Sequence, residues 1–160
     1  MPLYADAREF FNAVAEASRD AERVKRQLDA LEHRAIGMGG GGFEPRVRST
    51  PAHDRMGNAI ASLVDQESAL TKRLEDDYKL IDLACEVIYG TDSQNGLRSL
   101  VGWSADAIAL HYLNGYTWEV VGALLGYTKQ HVQREAKAAL ETCDACGMIN
   151  VIRGRGMAEN

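Results

Sequence analysis

Apolar residues at Leu3, Ala7, Phe10, Val14, Ala17, Ala21, Val24, Leu28, Leu31 and Ala35 follow one another in alternating steps of four and three without a miss. Such a run marks a helix with a single seam down its side, the pattern of a heptad repeat. Neither Gly nor Pro interrupts residues 3–36. A helix of that length spans about 50 Å, more than the roughly 40 Å width of a compact globule of this size. It therefore has to project or to pair along its length. A long antiparallel hairpin is the simplest solution, and the small Ala17 and Ala21 admit close approach of a partner. The spacing leaves open whether that partner is the same chain or a second copy. The small seam positions, and the consecutive seam residues Leu28 and Leu31, favour self-association as a dimer.

Gly37 is expected to stop this helix, and residues 37–54, with Gly39 to Gly42, Pro45 and Pro51, read as a flexible loop. A second helix is expected from Met56, with Ile60, Leu63, Leu70, Leu74, Ile81, Cys85 and Ile88 near heptad spacing and Glu67 and Asp77 as polar interruptions. The turn formers between Gly90 and Gly96 then mark a domain boundary. Charge changes there too: twelve basic against seventeen acidic residues precede Gly96, and six of each follow it. The whole excess of acid, a net charge of −5, belongs to the first part. That balance argues against indiscriminate coating of nucleic acid and leaves room for a local cationic face.

Beyond the boundary one device recurs three times: an aromatic residue, a Ser or Thr, and an aliphatic residue five positions after the aromatic. The instances are Trp103-Ser104 with Ile108, Tyr116-Thr117 with Val121, and Tyr127-Thr128 with Val132. In each, the hydroxyl can cap a helix while the flanking pair staples the entering chain. Three short helices are therefore expected. Gly126 suits a positive φ in the turn Leu125-Gly126-Tyr127-Thr128, and Gly122 leaves room for a close helix crossing. Together these make a helix-turn-helix.

On the third of these helices Val132, Ala136, Ala139 and Cys143 share one face. Gln130, Gln133, Arg134 and Lys137 share the opposite one, with Lys129 at its edge and His131 at the third helical position. Arg pairs with guanine and Gln with adenine in the major groove, while Lys and helix N-terminal amides hold phosphates. The candidate DNA-binding residues are thus Thr117, Thr128, Lys129, Gln130, His131, Gln133, Arg134 and Lys137.

The stretch from Tyr112 to Val132 resembles region 4 of sigma-70-type RNA polymerase sigma factors. Glu119, Val121, Leu125, Gly126, Thr128 and Val132 occupy that pattern's acidic, aliphatic, turn and cap positions, and Ala139-Leu140 match its later Ala-Leu pair. Gly122 stands where that pattern has Ala. The helix-turn-helix likeness covers about a quarter of the chain. With its helical hairpin and Gly-rich loop, the chain more loosely resembles small phage and prophage regulators of the ArpU and RinA type. The resemblance implies a cytoplasmic, non-enzymatic activator of phage or prophage genes that binds double-stranded promoter DNA and contacts RNA polymerase. Two other classes join the same parts: a small terminase-like packaging or structural component, and an adaptor whose three-helix head docks a protein.

The expected architecture is all-α. A coiled-coil-like hairpin over residues 1–90 precedes a linker over 91–102, a trihelical helix-turn-helix domain over 103–146, and a tail over 147–160. No cofactor or metal is expected. Cys143 and Cys146 form one CxxC with no second pair, and Cys85 stands apart, so neither a zinc finger, a redox motif nor a secreted disulfide framework is indicated. The glycine run lacks the Lys-Ser/Thr of a phosphate loop. His33, His53 and His111 show no ligand-like grouping, and Glu75-Asp76-Asp77 reads as a solvated helix face. Trp118 lies either against the sugar-phosphate backbone or partly buried in the trihelical core, and Arg153 and Arg155 are secondary phosphate candidates in the tail. No apolar run approaches the roughly 20 residues of a membrane span, and no signal peptide is expected.

Overall fold

The computed structural model describes residues 4–39, 50–92 and 94–147, and its described part is almost wholly helical. Two long helices, α1 (Ala7–Gly39) and α2 (Thr50–Tyr89), are followed by a two-residue antiparallel ladder, β1 (Gly90–Thr91) with β2 (Gln94–Asn95). Four shorter helices complete it: α3 (Leu97–Val101), α4 (Trp103–Ile108), α5 (Trp118–Leu125) and α6 (Lys129–Ala145). A π-helical turn at Ala109–Leu113 extends α4. The all-α expectation holds. Among the described residues no helix is long and apolar enough to cross a membrane.

Asp6 starts α1 by accepting from the Glu9 N–H at 2.8 Å, while Glu9 reaches back to accept from the Ala5 N–H at 2.5 Å. The two satisfy N–H groups that would otherwise lack partners. The other end of α1 corrects the sequence reading, because the helix passes Gly37 and ends at Gly39. A glycine costs a helix only about 1 kcal/mol relative to Ala, too little to force a stop. Likewise α2 begins at Thr50, six residues before Met56, since Pro51 in a first turn sacrifices no intrahelical hydrogen bond. The expected loop over 37–54 is therefore helical at both ends, and its residues 40–49 lie outside the described residues. So do His53's side chain, the tail beyond Gly147, and with it Arg153 and Arg155.

The chain forms two compact units, one of residues 20–76 and one joining residues up to 19 with those from 77 onward. This division differs from a boundary near residue 90. In the second of these units Phe10, Phe11 and Val14 of α1 share a core with Ala84, Val87 and Ile88 of α2. Ala7, Leu97, Ala105, Ile108, Ala109, Tyr112, Ala136, Ala139, Leu140 and Cys143 complete that core. Within the unit of residues 20–76, the Asp20 carboxylate is held by the Arg73 guanidinium of α2 through both oxygens, with Arg23 at 3.2 Å.

The seam is closed inside the chain. Ala7, Phe10, Val14, Ala17 and Ala21 are buried, and Val24 is 0% exposed with one chain present. Leu28 and Leu31 are half-buried, and Ala35 is exposed. The expectation that this seam joins two copies is corrected as far as Val24, because α2 lies within the same chain and no surface there is left for a partner.

The expected linker 91–102 is also corrected. Its turn formers do make a turn, with Asp92 and Asn95 at φ 56° and 63°, but α3 follows at once and buries Leu97. Gly96 has to be glycine, since a Cβ there would stand 2.3 Å from the Gly90 nitrogen. Of the three helix starts, Ser104 is not a cap. Gly102 at φ 63° precedes α4, and the buried Ser104 hydroxyl donates back to the Val101 carbonyl at 2.8 Å. α3 ends one residue before Gly102, and its unpaired carbonyl takes the hydroxyl that would otherwise cap.

Candidate nucleic-acid interface

The helix-turn-helix is built from α5, a three-residue turn and α6. Thr117 caps α5 by accepting from the Val120 N–H at 3.4 Å, and Thr128 caps α6 by accepting from the His131 N–H at 3.2 Å. Gly126, at φ 80° and ψ 28°, ends α5 in the left-handed region. The N–H groups of Gly126 and Tyr127 both donate to the Gly122 carbonyl at 2.9 Å. The turn then folds back so tightly that a Cβ on Gly122 would stand 2.6 Å from the Tyr127 carbonyl oxygen. Glycine at 122, where the sigma-factor pattern has Ala, is thus demanded by the path of this turn.

A second, smaller core of Ala107, Val121 and Val132 joins α4, α5 and α6, with Trp103, Leu110, Trp118 and Leu125 against it. Trp103 lies flat on Tyr127, with ring centroids 4.2 Å apart, and the half-buried His131 closes the group at 5.2 Å from Tyr127. Of the two readings of Trp118, partial burial is the one observed: the ring is half-buried and stacks on His111 at 3.8 Å. His111, unplaced by sequence reasoning, serves the turn before α5: its Nδ1 lies 2.7 Å from the Tyr116 carbonyl oxygen. Ser18 of α1 donates to the Leu113 carbonyl at 2.6 Å, beside the same turn.

α6 buries Val132, Ala136, Ala139, Leu140 and Cys143. Lys129, Gln130, Gln133, Arg134 and Lys137 are exposed together, so the structure brings the sequence-derived set onto one face. Thr117 and Thr128 belong to the frame of that face, since their hydroxyls are engaged as caps. His131 is partly covered, and its Nδ1 lies 2.8 Å from Nη2 of Arg134, which fixes that nitrogen as an acceptor. Arg134 also has the Glu135 carboxylate at 3.7 Å.

Two features of the face escaped sequence reasoning. Lys129 Nζ bonds Glu119 Oε1 of α5 at 2.6 Å, and that hydrogen bond holds the Glu119 carboxyl below its ordinary range. The signal, a cation and an acid ten residues apart, acquires meaning only once the turn is known. The second is the outer side of α5, where Val120 and Leu124 are exposed, Leu124 by 59%, with Tyr116 and Tyr127 exposed beside the helix ends. Elsewhere, the CxxC pair does not offer thiolates: Cys143 is buried, which pushes its thiol up to about 12, and Cys146 donates to the Thr142 carbonyl. Among the described residues no cluster of His, Cys, Asp and Glu is arranged to hold a metal ion. No known protein family, curated protein sequence or solved structure matches this chain.

Proposed function

We propose that the chain is a sequence-specific, double-stranded-DNA-binding regulator of phage or prophage transcription, acting in the cytoplasm without catalysis. One observation carries the reading. A 17-residue helix, begun by a threonine cap at a tight turn, turns Lys129, Gln130, Gln133, Arg134 and Lys137 of its first nine residues to solvent on one face. Gln130, Gln133 and Arg134 are the types that pair with adenine and guanine edges, and Lys137 with the helix N-terminus suits phosphate. The role in phage transcription and the contact with RNA polymerase come from the resemblance to sigma region 4 and to the ArpU and RinA regulators. The test is selection of bound fragments from host and prophage DNA, followed by titration of the enriched duplex and a scrambled one over a range of salt. The reading expects tighter binding to the enriched duplex and affinity falling with salt for both. Equal affinity for the two would remove sequence reading, and no binding at low salt would remove DNA altogether.

The exposed Val120 and Leu124 favour a second reading, a head that docks a protein through α5. The same titration separates the two, since an adaptor leaves duplex unbound. A dimer on two half-sites would need a pairing surface other than the seam between Ala7 and Val24, and sedimentation equilibrium of the full chain tests it.

A further inference from the structure

Lys129 and Glu119 lie at the first position of α6 and in the first turn of α5. Their 2.6 Å ion pair spans the turn at the edge of the exposed face, and the two side chains keep 46% and 62% of their surface in water. A carboxylate and a phosphate are rival acceptors for one ammonium, which can donate to either. The hydrogen bond from Lys129 keeps Glu119 ionised further into acid than an ordinary glutamate. We propose that Glu119 is a built-in competitor for DNA phosphate, occupying the Lys129 ammonium and withholding one cation from the sequence-independent attraction of α6 to a duplex. The proposal rests on the DNA-binding reading and concerns the strength of that attraction.

The consequence is a head that leans on hydrogen bonds to bases more than on counterion release. Of the cations on this face, Lys129 is matched by Glu119, and Arg134 stands between His131 and Glu135. Each phosphate contact withheld removes about 0.9 from the salt slope, and with it affinity for every random site that competes with an operator.

The test uses the full chain, the Glu119→Gln, Lys129→Ala and double variants, and a random-sequence duplex titrated at about 50 and 200 mM salt. Glu119→Gln keeps the side chain's size and removes its charge. It should bind more tightly than the unaltered chain and steepen the slope by about 0.9, so that its advantage is about 3.5-fold larger at the lower salt. Lys129→Ala should cancel the gain in the double variant, a coupling that independent sites would not show. An unaltered chain that binds duplex, beside a Glu119→Gln variant that binds no better and with the same slope, would overturn the proposal. Carboxyl titration by NMR tests the pair without DNA: Lys129→Ala should move Glu119 upward, and an unmoved Glu119 would overturn it as well. Absence of duplex binding by every variant overturns the DNA reading and the proposal with it, while the titration still reports whether the pair forms.

Discussion

Gly122→Ala isolates the contact that sets the turn. The added Cβ would meet the Tyr127 carbonyl oxygen at 2.6 Å, the Lys129 nitrogen at 3.3 Å and the Thr128 carbonyl carbon at 3.4 Å. Even close C–H···O contacts sit near 3.3–3.6 Å, so the turn has to retreat by roughly 0.7 Å. All three neighbours are backbone and cannot rotate aside. Overpacking of this kind costs about 1–3 kcal/mol, against a gain of about 0.8–1.0 kcal/mol from replacing a helical glycine by alanine. The net loss is roughly 1 kcal/mol, which lowers Tm by about 2–4 °C in a chain of this size. Ala123→Gly, exposed on the same helix, supplies the propensity term alone. Thermal unfolding gives the energies, and amide chemical shifts of Tyr127 and Lys129 show whether the turn has moved. If Gly122→Ala raised Tm by what Ala123→Gly removes, with those amides unmoved, the close approach would not exist.

Arg134→Ala should weaken binding to an enriched duplex by about 1–3 kcal/mol and relax preference at one base pair; equal loss on a scrambled duplex would contradict base reading. Lys137→Ala should weaken binding to all sequences and lower the salt slope by about one, and an unchanged slope would remove it from the phosphate footprint. Leu28→Asp places a charge on a half-buried seam position next to Val24, so it should lower Tm and leave association unchanged. Sedimentation equilibrium showing a dimer that the substitution dissolves would refute closure of the seam within the chain. Burial lifts the Cys143 thiol from 9.0 to about 12, so the folded state resists ionisation that the unfolded chain permits. The stabilisation is complete below pH 9 and is lost as pH rises toward 12, with a slope approaching about 1.4 kcal/mol per pH unit. Urea unfolding between pH 8 and 10.5 should show this fall in the unaltered chain and a shallower one in Cys143→Ala; parallel curves would refute it.

Local chemistry was legible where it acts locally. Thr117 and Thr128 cap as their spacing predicts, because a cap needs only its own helix and the first-turn N–H groups. Ser104 carries the same signature and fails, since Gly102 breaks the chain two residues earlier and presents the Val101 carbonyl instead. A hydroxyl that accepts and one that donates backward leave the same letters. The seam behaves likewise: its period shows in the sequence through Val24, whereas what covers it depends on α2, whose Arg73 is 53 residues from Asp20. The Glu119–Lys129 pair follows from two glycines that were legible, Gly126 for its φ and Gly122 for its lack of Cβ. Its consequence for the charge of the exposed face emerges only when the turn is closed.

The same α6 that offers the candidate reading face also holds its unit together. Ala136, Ala139, Leu140 and Cys143 enter the core that contains Phe10, Phe11 and Val14 of α1 and Ala84, Val87 and Ile88 of α2, whereas Val132 enters the smaller core under the turn. Near its far end Asp144 accepts from the Ala7 N–H at 2.7 Å, tying it to the first turn of α1. A segment cut at residue 103 would therefore lose Ala7, Phe10, Phe11, Val14, Ala84, Val87, Ile88 and Leu97 from the larger core, keeping the part that Ala105, Ile108, Ala109 and Tyr112 form with α6 beside the smaller core of Ala107, Val121 and Val132. The loss removes the large Phe10, Phe11 and Ile88 side chains from the apolar surface that offsets the entropy of ordering the segment. The helix-turn-helix accordingly shares its core with α1 and α2. Substitutions at Ala136, Ala139, Leu140 or Cys143 act through α1 and α2, whereas Gln130, Gln133, Arg134, Lys137 and the Glu119–Lys129 pair can be changed without disturbing what the face rests on.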